Sequence, residues 1–128
     1  MDVFLTKEVL TTLAFLWELD SLSNSEGVAI GHKRGHRIIV EKVIPLKKVS
    51  YPSITEYLKL DKLLNNKLVG FFTFERKAEK CLDNLLIPYN LGNILLRIEK
   101  IPEKIKAFLI DYQQSQILFS PLGLKLPE

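Results

Sequence analysis

The stretch Lys67-Leu-Val-Gly-Phe-Phe-Thr-Phe-Glu-Arg-Lys-Ala-Glu-Lys-Cys-Leu-Asp83 decides how this chain is read. Leu68 to Phe74 runs as an apolar stretch with β-branched and aromatic side chains and reads as a strand. At Glu75 the run turns to charge, and Ala78, Leu82, Leu85 and Leu86 then recur at helical spacing until Pro88. A strand breaking straight into a helix is a common seat for an active site, yet neither His nor Cys stands at the strand tip.

Working outward, Val3-Phe4-Leu5 reads as a short strand. Thr6 is placed to cap a helix running to about Leu19, with Val9, Leu10, Leu13, Leu16 and Trp17 on its apolar face. Gly27 to Gly31 and His36 to Pro45 form a hairpin pattern around the turn HKRG. Ser53-Ile54-Thr55-Glu56 is a capping box opening a helix to about Leu64. Beyond Pro88, short strands are expected at Ile94 to Ile98, Ala107 to Tyr112 and Gln116 to Phe119. The expected order is β-α-β-β-α-β-α-β-β-β. It implies an α/β fold of α+β sandwich type: one domain over residues 1–128, with a mixed sheet flanked by helices.

The 128 residues suffice for one core, and 47% hydrophobic with 26% charged composition excludes a disordered or fibrous chain. A net charge of +3 permits nucleic acid as a partner, although a lysine-rich solvated surface gives the same total. The single Cys81 excludes an internal disulfide and a multi-cysteine zinc site, and reads as a buried helix thiol. No run approaches the ~18 apolar residues of a membrane helix, and the start MDVFLTKEVL does not read as a signal peptide, so the expected location is cytoplasmic.

Among candidate binding groups, Lys33, Arg34 and Arg37 form a compact cationic hairpin tip able to meet phosphate or an acidic partner. His32 and His36 share that tip, but the glycines around them indicate a turn and no acid lies close enough in sequence to complete a metal set. Glu75 and Glu79, interleaved with Arg76, Lys77 and Lys80, read as a salt-bridged helix face. No phosphate-cradling glycine motif is present.

Three pieces in order resemble a known family: residues 24–45 (NSEGVAIGHKRGHRIIVEKVIP), residues 68–72 (LVGFF), and the closing segments KAFLID and ILFSPLGLKL. Together they are similar to the JAMM/MPN (JAB, Mov34-like) domain, across essentially the whole chain. Active members of that family are zinc peptidases, with a His-x-His-Pro motif, a Ser-x-x-Asp and a general-base Glu. The resemblance places the two histidines on Thr73 and Glu75, the base on Asn24 and the acid on Asp83. Glu26, two residues from Asn24, would be displaced by ~6–7 Å along a strand. The resemblance thus implies a degenerate, metal-free member: no catalytic residue, no cofactor, and a protein-interaction or regulatory scaffold that pairs with a protein partner or as a homodimer. Two alternatives are nucleic-acid association through residues 33–37 and, further off, a metal-dependent peptidase with unusual ligands.

Overall fold

A computed structural model of the protein describes residues 1–19, 26–45, 59, 62–63, 65, 67–74, 92–100, 104–113 and 116–127. In chain order the elements are β1 (Asp2–Leu5), α1 (Lys7–Leu19), β2 (Glu26–Arg34), β3 (Arg37–Pro45), β4 (Leu68–Phe74), β5 (Ile94–Lys100), β6 (Lys104–Gln113) and β7 (Gln116–Lys125).

The strands lie where the apolar periodicity puts them, but their assembly differs from the expected sandwich. They form one closed barrel in the order β1-β3-β2-β4-β5-β6-β7, with β7 returning to β1. Closure depends on the shortest strand. β1 runs parallel to β3, with Val3 opposite Ile38, and parallel to β7, with Val3 opposite Leu124. The remaining parallel pair is β4 with β5, and all other neighbours are antiparallel. The α+β sandwich is therefore corrected to a closed barrel with α1 packed on it, and the resemblance to the JAMM/MPN family is not upheld by this architecture. The physical reason is range: alternation within a strand reports its type, whereas closure is set by which strands meet across the chain. The two helices expected at 53–64 and 76–86 lie outside the described residues, except that Lys59, Lys62 and Leu63 are helical.

Cross-strand rows show how the core forms. Phe72, Leu96, Ala107 and Leu122 stand side by side on β4, β5, β6 and β7, and Phe74, Ile98 and Ile105 make the next row. These side chains belong to one core cluster, on which α1 lays Val9, Leu13 and Leu16. On the opposite face, Val28, Phe71 and Leu95 form a second row, also buried. Burial on both faces is why all seven residues of β4 are inaccessible and why its sequence is continuously apolar.

α1 begins as expected. The Thr6 hydroxyl accepts a hydrogen bond from the Val9 N–H at 3.2 Å, satisfying one of the orphan donors of the first turn. Trp17 meets Phe74 edge to face, with centroids 5.1 Å apart, and so joins the helix to the C-terminal end of β4.

Candidate functional site

The strands β2 and β3 pair as far as Arg34 and Arg37, leaving Gly35 and His36 as the turn. Gly35 takes φ +62° at the first turn position, which a two-residue hairpin of type II′ requires. Every residue from His32 to Arg37 is exposed, as the sequence suggests for this tip. The fold nevertheless ties down much of it. Lys33 Nζ donates to the Gly92 carbonyl at 2.9 Å, and the Asp2 N–H donates to the His36 carbonyl at 3.0 Å. The Arg37 guanidinium lies 5.6 Å from the centroid of the Phe4 ring. Arg34 has no such tie among the described residues.

A bulge below the tip governs the histidine. Ile30 pairs with Lys42 and Gly31 with Val40, so Glu41 is the extra residue on β3. The bulge aims Glu41 outward, and its Oε1 lies 2.6 Å from His32 Nδ1, with both side chains about half exposed. His32 is thus occupied by an acid nine residues away, a pairing that register rather than local spacing creates. Among the described residues no group of three or more His, Cys, Asp and Glu comes together as a metal site would require.

The other positions singled out by the sequence divide simply. Thr73 is fully buried in β4, between Glu26 of β2 and Arg97 of β5, and its hydroxyl donates at 3.4 Å to the neighbouring Phe74 carbonyl. It is a filled sheet position with no opening to solvent. Asn24, Glu75, Cys81 and Asp83 lie outside the described residues, as do Glu79 and the lysines beside it.

Two surface features escaped the sequence reading as sites. The first is the outer face of α1, where Phe15 is 62% and Leu19 49% exposed, one turn apart, beside exposed Glu8, Thr11 and Glu18. The apolar face read from the sequence leaves Phe15 out, which is the only local signal for it. The second is an open cleft of about 420 Å³ lined by Glu8, Ile30, Glu41, Lys42, Ile44, Leu63, Asn65 and Lys67. It sets two carboxylates beside two ammonium groups, and one of the carboxylates is already engaged by His32.

Over the described residues the chain is a small seven-stranded barrel with a helix on its core. It is similar to the solution structure of protein DSY2949 from Desulfitobacterium hafniense, a structural-genomics target. The TM-score is 0.63 and the identity 19%, over 98% of this chain and 93% of that one. At that identity the likeness is one of fold, and it supports the barrel in place of the expected JAMM/MPN sandwich. The reading of the chain as a degenerate, metal-free relative of zinc peptidases is set aside with it. No family model matches the chain, and no curated protein matches it. Among the described residues no helix is long and apolar enough to cross a membrane.

Proposed function

We propose that this chain is a non-catalytic protein-interaction domain that docks a protein partner on the outer face of α1. The observation that carries the reading is the pair Phe15 and Leu19, exposed on a helix whose opposite face is fully committed to the core. Phe15 at the centre of the helix, rimmed by Glu8, Thr11 and Glu18, has the anatomy of an interface anchor with a polar edge. The barrel underneath is filled by Phe72, Phe74 and the isoleucines of β5, and so acts as a rigid support for that helix. The cationic tip is the weaker surface for recognition, because Lys33 and Arg37 already have partners within the fold. A reducing compartment such as the cytoplasm is in keeping with the lone Cys81.

The test uses peptides or domains selected from a displayed library for binding to the whole chain. Their affinities are then measured for the wild type and for Phe15→Glu/Leu19→Lys. The expected result is a loss of tenfold or more, with hydrogen exchange slowed along residues 8–19 in the complex. Binders indifferent to the double substitution would overturn the reading.

A further inference from the structure

The barrel is closed, but not along its whole height. β1 meets β7 only at Gly123, Leu124 and Lys125, whereas β7 begins at Gln116. From Ile117 to Leu122 the side of β7 that faces away from β6 has no strand partner among the described residues.

The direction of its backbone groups follows from the register. Pro121 stands opposite Phe108 and has no N–H, so this pair cannot exchange hydrogen bonds. Alternation makes Phe119 opposite Ile110, and Ile117 opposite Tyr112, pairs of the same kind. An independent contact agrees: the Ile110 N–H donates to the Asn93 carbonyl and its carbonyl accepts from the Gly92 N–H, both on the side away from β7. The N–H and C=O groups of Ile117 and Phe119, and the Pro121 carbonyl, therefore point outward along an edge that is open among the described residues.

Exposed edges usually carry lysine, proline or a bulge as a guard. Here no charged residue lies between Gln116 and Leu124, and Pro121 is the one guard. Leu118 is 36% exposed and Phe119 is half-buried beside it.

We infer that two copies of this chain pair through their β7 edges, antiparallel about a two-fold axis at Phe119. In that register Phe119 of each copy donates to the Phe119 carbonyl of the other, and Ile117 of each donates to the other's Pro121 carbonyl. The proline costs only the donor that its own ring removes. An uncharged edge can face its own copy without repulsion, and a strand antiparallel to itself is self-complementary as a two-fold interface must be. The window ends where Gly123 is taken by β1. This inference does not depend on the α1 surface.

The experiment is sedimentation equilibrium of the whole chain over about a thousandfold range of concentration, with amide exchange measured at both ends of it. Dimers that dissociate on dilution are expected. Protection at Ile117 and Phe119 should rise with concentration, while Leu118 and Ser120, bonded to β6, stay protected throughout. Ile117→Pro removes an outward donor that the barrel does not use, and Phe119→Lys sets like charges against each other on the axis. Each should leave a folded monomer, with folding read from the fluorescence of Trp17. A wild type that stays monomeric would overturn the inference. So would a dimer that survives both substitutions, or one broken by Phe15→Glu and protected along α1 instead.

Discussion

Gly70 stands opposite Ile94 of β5, and a Cβ built there would run into the Ile94 carbonyl oxygen and side chain. Backbone cannot yield as a flexible side chain can, so the sheet must spread or the strand must shift. Gly70→Ala is expected to destabilise the protein by about 1–3 kcal/mol, the usual cost of overpacking, read as a lower urea midpoint at unchanged slope. Gly35 gives the internal contrast. Its positive φ favours glycine, but a methyl there meets nothing, so Gly35→Ala should cost only about 1 kcal/mol from backbone strain. If the two substitutions cost the same, close approach is not what Gly70 provides. The same scale explains why Thr73 holds no chemistry: its side chain is fully buried, and its hydroxyl reaches no solvent.

At the scale of the element, α1 is held by its apolar stripe and reports on itself through Trp17, the only tryptophan of the chain. Leu13 is fully buried against the barrel, so Leu13→Ala should cost about 2–5 kcal/mol, followed by Trp17 fluorescence during urea unfolding. A cost below 1 kcal/mol would mean that the helix rests on the sheet without sharing its core. Elements were also the most legible part of the sequence. The Thr6 cap, the β2–β3 hairpin and the β4 strand follow from patterns that act within a few residues, whereas the burial of β4 on both faces comes from the assembled sheet. What was not legible depends on contacts between distant residues. Lys33 reaches Gly92 across 59 positions, and no local pattern shows that this tip cation is already used. The Glu41 bulge that captures His32 is a matter of register, and so is the edge of β7, which among the described residues is covered only from Gly123 to Lys125. The exposed positions of Lys33, Arg34 and Arg37 could be read from their sequence; their partners could not. The family resemblance failed for a related reason. Its pieces were strands in a plausible order, and strand order along a chain leaves open how the sheet closes.

For the whole molecule, the topology makes a statement about folding. The β2–β3 hairpin joins residues close in sequence and β4 adds to it from some tens of residues further on, whereas the seam between β1 and β7 sets Val3 beside Leu124, near the other end of the chain. Loop closure over nearly the full chain is entropically costly, and the three-residue seam returns little for it until the rest of the sheet is in place. The seam should therefore form after the main barrier. Leu124→Ala, which removes a side chain packed on the core at the seam, is expected to speed unfolding and leave the folding rate nearly unchanged. Val43→Ala, in the buried part of the hairpin opposite Ala29, should slow folding for a comparable loss of stability. Stopped-flow folding and unfolding monitored at Trp17 gives both rates for each variant. A seam variant with the higher φ-value would mean that the chain ends meet early and the hairpin forms around them. That would reverse the order of assembly, and with it the reason for so short a closing strand: a strand added last needs only enough residues to lock a barrel whose core has already formed.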